Sequence, residues 1–443
     1  MQFNEPTFLL LFLPVLLLAY YALPFLRNVL LLAASLIFCL WGGKQTTGLL
    51  LIACAGNFAL GLIVARRRWV LIAGLVANLL LLVWCKYADF LGLPLPKLSA
   101  PPGLSFFTFV AIAYLVDVYR CDAPAIRNPI HAGNYFLFFP KLWAGPIVRS
   151  RDIGKQLALR RPSRELFATG VRRFIIGLGK KVLVANTVAG VADKVFGLPA
   201  NALRVELAWI GVVAYTIQIY FDFSGYTDMA IGVGAMFGFE LPENFDHPYA
   251  VRSIRDFWRR WHMTLSSFLR DYLFIPLGGS RCAPWRSYCN LLIVFFICGL
   301  WHGANWTFVV WGVLQGCFLL IEKLGVGQAL EKSPRFVGHA YALLATMVSW
   351  VFFRAATLPQ ALHFLTAMLD LNRSTGPADS LVAIVDPLAR VMLVIGIIGS
   401  FPVIPLRWRR SEPLATVALT VVLAAVLMMV AVKTYTPFIY QKF

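Results

Sequence analysis

Long apolar stretches, separated by short basic or proline-rich segments, follow one another along most of the chain. A helix needs about 20 apolar residues to cross a bilayer, and stretches of about that length recur throughout. The pattern therefore predicts an all-α polytopic membrane protein with about eleven or twelve crossings. Outside the central part of the chain, the predicted crossings are residues 8–23, 29–41, 48–65, 69–91, 104–119, 174–195, 207–220, 338–353, 391–403 and 414–432.

Two apolar segments fall outside this scheme. The segment YFLFFPKLWAGPIV is too short to cross a bilayer and is interrupted by Pro140, Gly145 and Pro146. Irregular backbone is tolerated at membrane depth only where protein or a water-filled cavity satisfies its polar groups, so we expect a re-entrant or interfacial segment beside a central cavity. The segment GYTDMAIGVGAMFGF is predicted as a separate helical region after the crossing at 207–220.

Basic residues between the apolar stretches predict the orientation of the chain. Three arginines, Arg66 to Arg68, separate the third and fourth crossings, and Arg407, Arg409 and Arg410 precede the last one. Basic loops remain in the cytoplasm, so both termini are predicted on the non-cytoplasmic side. The N-terminus lacks a basic region and a small-residue cleavage site, and we therefore interpret it as a retained first crossing.

Composition supports a membrane protein over a nucleic-acid-binding one. Hydrophobic residues make up 59% of the chain and charged residues 14%, which is more apolar surface than a soluble protein can bury. The net charge of +19 lies in short loops, as membrane topology requires, so no nucleic-acid partner is predicted. Residues 141–181 carry eleven basic and two acidic residues, which predicts a cytoplasmic surface that contacts anionic lipid or docks a phosphorylated cofactor. The eight cysteines show neither a disulfide framework nor a metal-ligand spacing.

Two histidines in the central part of the chain are the main candidates for chemistry. Ionisable groups are expensive inside a bilayer, so a histidine flanked by crossings is a functional candidate. His302 follows an apolar helix and precedes Gly303, where a buried imidazole could act as a general base or donate to a backbone carbonyl as a structural residue. His262 shares one predicted helix face with Arg255, Arg259 and Ser266, which indicates an amphipathic helix at the interface or on the floor of a cavity.

Two aspartates, Asp222 and Asp228, are predicted inside the membrane. They lie six positions apart and so do not share a helix face, which argues against a paired-carboxylate acid/base site. We expect these aspartates to bond to neighbouring helices, to tryptophan N–H groups or to the histidine region.

Five motifs occur in order along the chain: FFTFVAIAYLVDVYR, KLWAGPIVR, YFDFSGYTDMAIG, FWRRWHMTLSSFLRDYLFIPLGG and GLWHGANWTFVVWG. With these motifs the chain resembles the membrane-bound O-acyltransferase family, densely over residues 100–325, and within it the alginate O-acetylase branch. The resemblance implies a single integral-membrane domain over residues 1–443, with many tilted helices around a central tunnel. Phe268, Phe274 and Ser280 depart from the residues expected at those positions, and they weaken any assignment of a particular polysaccharide.

The resemblance also implies the residues of the site. His302, in WHG, and His262, in RRWH, match the two histidines of the family. Arg259 and Arg260 are expected to bind phosphates of the donor, because guanidinium groups suit phosphate oxygens. Trp301, Asn305 and Asp222 are expected to support the site, and no metal is implied. Whether His302 is a general base or carries the acyl group as an acyl-imidazole is left open.

The implied activity is acetyl transfer across the bacterial inner membrane. Acetyl-CoA would be the donor substrate, with no permanently bound cofactor, and a periplasmic exopolysaccharide, first of all alginate, would be the acceptor. A separate periplasmic partner resembling SGNH hydrolases would pass the acetyl group on, with membrane lipid as the surroundings. Alternative acceptors are peptidoglycan, cellulose or, with D-alanyl as the acyl group, teichoic acid. A transporter or a scaffold for a partner enzyme is the non-enzyme alternative.

Overall fold

A computed structural model describes residues 1–96, 98, 100–369, 381–402 and 412–432. Within these ranges the chain forms helices and no strand, which confirms the all-α prediction. The first eleven α-helices are α1 (Leu13–Ala22), α2 (Arg27–Trp41), α3 (Lys44–Ile63), α4 (Arg68–Tyr87), α5 (Leu104–Arg120), α6 (Pro129–Leu137), α7 (Phe139–Leu142), α8 (Ser150–Leu159), α9 (Arg164–Leu178), α10 (Asn186–Phe196) and α11 (Val205–Met236).

The remaining α-helices include the two histidine segments. They are α12 (Ile254–Arg260), α13 (Met263–Leu269), α14 (Pro284–His302), α15 (Trp306–Ile321), α16 (Gly327–Lys332), α17 (Arg335–Arg354), α18 (Leu358–Met368), α19 (Leu381–Ile384), α20 (Pro387–Gly399) and α21 (Glu412–Val432). Within the described residues, π-helical turns adjoin helices at four places, namely Phe8–Phe12, Gly179–Ala185, Arg270–Phe274 and Glu322–Val326. Short 3₁₀ turns occupy Pro24–Leu26 and Ala200–Ala202.

In the part of the chain that the structure describes, eight helical stretches are long and apolar enough to cross a membrane. They are Pro24–Trp41, Lys44–Ile63, Arg68–Tyr87, Arg164–Phe196, Val205–Met236, Trp306–Lys332, Arg335–Arg354 and Pro413–Val432. Two shorter apolar helices, Phe8–Ala22 and Pro387–Gly399, coincide with predicted crossings, and so does α5. The protein is therefore a multi-pass membrane protein, as the apolar pattern predicts.

The structure corrects two of the predictions for individual segments. The predicted break between residue 220 and GYTDMAIGVGAMFGF is wrong, because α11 runs unbroken through Ser224 and Gly225, where buried packing outweighs the low helix propensity of glycine. The predicted basic surface is wrong for Lys141, Arg149 and Lys181, which are all buried. The segment around Pro140 does break into the short helices α6 and α7.

The described residues group into two compact units, each with its own core. The first comprises Met1–Leu178, Tyr226–Glu243 and residues 430–432. Its core is aromatic, and the Phe3 ring stacks on Tyr226 with centroids 4.9 Å apart. Arg160 ties several of its segments together, because its Nε donates to the Tyr20 hydroxyl at 3.0 Å and the Tyr20 hydroxyl donates to the Phe237 carbonyl at 2.6 Å.

The second unit comprises Gly179–Gly225 and Asn244–Met429 and contains both candidate histidines. Its helices α14 and α15 approach very closely at two glycines. A Cβ atom on Gly312 would lie 2.3 Å from the Phe295 carbonyl oxygen, and one on Gly299 would lie 2.4 Å from the Phe308 carbonyl oxygen. Small residues allow such close backbone approach between membrane helices, and here they bring the end of α14 against α15. The interpretation of residues 1–443 as one domain stays a prediction.

Candidate active site

His302 is the last residue of α14 and lies in a cage of aromatic rings. Its side chain is 4% exposed. The ring centroids of Trp301, Trp311 and Phe353 lie 4.8, 4.9 and 5.0 Å from that of His302. The Trp311 ring meets the imidazole at 89° and the Phe353 ring at 77°, so both contacts are edge-to-face. The structure thus places the His302 ring in the buried, apolar surroundings that the sequence predicts.

The turn after His302 is fixed by a glycine and a helix cap. Gly303 is extended, and a Cβ atom there would lie 2.4 Å from the Phe308 ring, so the chain leaves α14 tightly packed. Asn305 caps α15, because its Oδ1 accepts from the Thr307 amide at 3.1 Å, and its Nδ2 donates to the Ala356 carbonyl at 3.0 Å. Asn305 therefore holds the start of α15 in place through two bonds to backbone groups.

His262 lies in a break between two short helices. The helix α12 ends at Arg260, Trp261 is extended, and His262 has φ 43° and ψ 54°, in the left-handed region that non-glycine residues rarely adopt. The predicted continuous amphipathic helix through Ser266 is therefore wrong. The Met263 amide donates to the Asn244 carbonyl at 3.0 Å, a bond that holds the break and turns His262 fully into the interior.

Asn244 determines which nitrogen of His262 carries the proton. Its Oδ1 accepts from the Thr264 amide at 3.2 Å and from the Thr264 hydroxyl at 2.9 Å, and it lies 3.1 Å from His262 Nδ1. A backbone amide can only donate, so the side-chain atom facing it is the oxygen and Nδ1 is the protonated ring nitrogen. Burial lowers the pKa of His262 to about 3, so the ring is neutral near pH 7 with Nε2 as its basic nitrogen.

The Trp301 ring lies near both histidines. Its ring centroid is 4.8 Å from that of His302 and 6.3 Å from that of His262, and Phe223 contacts the His262 ring edge-to-face at 4.7 Å. The structure therefore brings His262 and His302 to one place in the second unit. Asn244 is a site residue that sequence reasoning missed, because nothing in its local sequence indicates a contact 18 positions away.

The two intramembrane aspartates each have a basic partner. Asp222 Oδ1 lies 2.6 Å from Lys181 Nζ, and both side chains are 2–3% exposed. Asp228 Oδ1 lies 2.9 Å from Arg173 Nη2, and Arg173 also pairs with Glu243. Neither aspartate faces the other as an acid/base pair would. The described contact of Asp222 is thus an ion pair that joins α11 to the π-helical turn before α10.

The two arginines of RRWH lie outside the histidine cage. Arg259 is exposed, and Arg260 lies 3.6 Å from Asp256 and 3.8 Å from Asp246. Arg260 lines an open, polar cavity of about 420 Å³ together with Arg252, Arg255, Asp256, Glu322 and Glu331. The buried Glu322 carboxylate accepts from the amides of Ile254 and Arg255 at 2.5 and 3.0 Å and thereby anchors the start of α12.

Comparison with known proteins identifies the family of the chain. Residues 123–358, which include both histidines, match the sequence model of the membrane-bound O-acyltransferase family. The chain is 41% identical over 395 residues to the probable alginate O-acetylase AlgI of Azotobacter vinelandii, covering 84% of this chain and 79% of that protein. It is 42% identical over 398 residues to its counterpart in Pseudomonas putida, covering 84% and 81%.

A relative that acts on another polymer is nearly as similar. The peptidoglycan O-acetyltransferase of Helicobacter pylori is 38% identical over 424 residues, covering 84% of this chain and 80% of that protein. Among the described residues, no group of three or more histidine, cysteine or acidic side chains could hold a metal ion. The chain belongs to the membrane-bound O-acyltransferase family and is an O-acyltransferase.

Proposed function

We propose that the protein takes an acetyl group from acetyl-CoA on the cytoplasmic side of the bacterial inner membrane and delivers it toward a hydroxyl of a periplasmic exopolysaccharide. The names of the alginate O-acetylases to which the chain is similar support acetyl as the acyl group and alginate as the acceptor. A separate SGNH-type partner would complete the transfer to the polymer. The observation that carries the proposal is that His302 and His262 are both buried and both lie near the Trp301 ring.

His302 is the proposed catalytic residue. Its cage of Trp301, Trp311 and Phe353 excludes bulk water from the imidazole, which protects a thioester from hydrolysis while the acceptor approaches. The imidazole would take the proton of the acceptor hydroxyl or carry the acetyl group itself. His262, neutral and fixed by Asn244, would position the donor or relay a proton through Nε2.

The cavity beside α12 is the proposed contact surface for the donor phosphates. Arg260 lines it, and Arg259 lies exposed on the same short helix. Arg260 already pairs with two aspartates, so its guanidinium is oriented before a ligand arrives. Arginine side chains bind phosphate oxygens through two parallel hydrogen bonds, as a CoA moiety requires.

Peptidoglycan is the second candidate acceptor, favoured by the similarity to the Helicobacter pylori enzyme over 84% of this chain. The two acceptors are distinguished by the acetyl content of exopolysaccharide and of cell wall, each purified from cells with and without the gene. Acetate released from the exopolysaccharide alone supports the first acceptor, and acetate released from the cell wall alone supports the second.

Turnover of acetyl-CoA by the purified protein in lipid nanodiscs tests the activity itself. His302→Ala should lower turnover by about 100-fold or more, since positioned acid–base groups contribute that much. His363→Ala is the matched control, because this histidine bonds to the Ala200 carbonyl at 2.9 Å and has no described contact with the cage. Equal turnover by wild type and His302→Ala would contradict the proposal, and solute flux without turnover would indicate a transporter.

A further inference from the structure

The helix α15 carries a line of buried polar side chains on the face toward His302. Thr307, Trp311 and Gln315 follow one another at four-residue intervals and so lie on one side of the helix. Their exposed fractions are 0, 1 and 0%. The rest of the helix is apolar apart from Trp306, which is exposed. A polar line of this kind inside an apolar helix requires an explanation, because buried polar groups are costly unless they are bonded.

Two N–H groups of this line have no hydrogen-bond acceptor in the described part of the chain. They are Trp311 Nε1 and Gln315 Nε2. The orientation of Gln315 is fixed, since Trp258 Nε1 donates to its Oε1 at 3.0 Å and an indole can only donate. The amide NH₂ of Gln315 therefore faces away from Trp258. Buried donors that lack a partner are rare in folded proteins, and a catalytic role is one of the few explanations.

Trp311 lies beside the candidate catalytic histidine, and Gln315 follows it on the same helix. The Trp311 ring centroid is 4.9 Å from that of His302, and Gln315 lies one helical turn further along the same face. Side chains on a helix lean toward its N-terminus, so Gln315 leans toward Trp311. The Trp258 ring, which holds Gln315, also contacts the Trp311 ring edge-to-face at 6.0 Å.

We propose that the Trp311 indole N–H and the Gln315 amide N–H bind the carbonyl oxygen of the acyl group while it is transferred at His302. This inference rests on the proposed acetyl transfer from a thioester. Donors that are fixed in a dry site before reaction stabilise the charge that develops on such an oxygen. The two side chains are thus catalytic residues in addition to the histidines.

The chemical step balances with these groups. The acceptor hydroxyl oxygen attacks the acyl carbon as His302 takes its proton, and the carbonyl π electrons move to oxygen. The resulting oxyanion accepts the hydrogen bonds of Trp311 and Gln315. When the oxyanion collapses, the carbon–sulfur bond breaks, and the leaving thiolate receives the proton from the imidazolium. An ester and a free thiol result, and His302 returns to its neutral form.

The variant Trp311→Phe tests the role of the indole N–H with little loss of packing. The Trp311 ring packs parallel to Trp350 at 6.0 Å and edge-to-face on Phe353 at 5.0 Å, and phenylalanine retains an aromatic ring there. With acetyl-CoA as donor, Trp311→Phe should lower kcat by roughly 100-fold, as loss of one oxyanion donor does, and change KM by less than about 3-fold. Gln315→Met should act in the same direction.

Trp350→Phe is the matched control. It removes an indole N–H from the same stack, but one that already donates to the Tyr249 hydroxyl at 3.2 Å. We expect its kcat to stay within about 3-fold of wild type, since it is no donor to the acyl oxygen. Wild-type kcat in both Trp311→Phe and Gln315→Met would overturn the proposal, and so would an equal loss of kcat in Trp350→Phe.

An infrared measurement tests the contact without turnover. In the full-length His302→Ala protein, bound acetyl-CoA labelled with ¹³C at the carbonyl should show its C=O stretch at lower frequency than in water. The additional change Trp311→Phe should reverse most of that shift, and an identical band in both proteins would overturn the inference. A wild-type protein without acetyl-CoA turnover would instead overturn the proposed function, and the assignment of these donors with it.

Discussion

His262 is held in an unusual backbone conformation and in its neutral form at once. The left-handed φ and ψ angles are sustained because Asn244 binds both the ring and the residues that follow it. Complete burial then disfavours the protonated ring. At neutral pH, His262 is therefore a hydrogen-bond acceptor through Nε2 and not a cation.

Because His262 is neutral in the folded protein, the free energy of unfolding should depend on pH. In the unfolded chain the ring takes up a proton near pH 6.5, whereas in the folded chain its pKa is about 3. The contribution of the neutral His262 to the free energy of unfolding is therefore fully present above about pH 6.5, and it is lost as the pH falls toward 3. Between pH 6.5 and 4.5 the wild type should lose about 2 kcal/mol of stability from this group. His262→Gln should lack that loss.

The unfolding temperature in detergent, measured from pH 4.5 to 7, checks this. Trp261→Phe is the control, because it disturbs the packing next to the ring but leaves the imidazole in place, so its pH dependence should follow the wild type. Parallel curves for wild type and His262→Gln would contradict the prediction.

At this scale the sequence locates the motif residues but not their partners. His302 and His262 are recognisable from WHG and RRWH, and their burial follows from the apolar stretches around them. The bond from Asn244 to His262 and that from Trp258 to Gln315 join positions 18 and 57 apart, and no local pattern encodes such distances. Only the fold brings these partners together.

At the scale of helices, the buried ion pair of Lys181 and Asp222 links the π-helical turn before α10 to α11. Removing one partner takes a counter-charge away from the other in a buried site, which typically costs about 3–5 kcal/mol. Replacing both by apolar residues removes both charges, and the change is then small. The intact ion pair therefore adds little net stability, although the loss of one partner alone is strongly destabilising.

We predict that Lys181→Met and Asp222→Leu each destabilise the protein strongly, and that the double variant recovers most of the stability. Thermal unfolding of the four proteins, with acetyl transfer measured in parallel, provides the check. Recovery of stability and activity together in the double variant would assign Asp222 a structural role. A stable double variant without activity would instead indicate that Asp222 contributes to the chemistry.

The apolar pattern predicts most helices but not where short ones end. Crossings such as α3, α4 and α17 follow from length and hydropathy alone. The periodicity from Ile254 to Phe268 predicts one helix, and its apolar positions are indeed buried. The break at Trp261 and His262 depends on hydrogen bonds from Asn244, so helical periodicity continues across a point where the helix itself does not.

At the scale of the whole molecule, the prediction concerns orientation in the membrane. Basic residues at Arg66–Arg68 predict that the turn between α3 and α4 lies in the cytoplasm and that both termini lie on the opposite side. Alkaline phosphatase fused after the C-terminus should therefore be active, because the enzyme matures only outside the cytoplasm. The same fusion after Arg67 should be inactive, and green fluorescent protein at the two positions should give the reverse pattern. Active phosphatase at Arg67 would contradict the orientation. The arginines at 407, 409 and 410, which support the same prediction, lie outside the described residues.

The seven-residue helix α12 is attached at several points along its short length. Glu322 binds its first two amides, Trp258 donates to Gln315, and Arg259 and Arg260 form its more exposed end. Because α12 has only seven residues, we expect it to move as a rigid unit, so that a displacement of its arginines also displaces Trp258. Binding of a ligand at Arg260 should therefore shift Trp258 and, through its hydrogen bond, the side chain of Gln315.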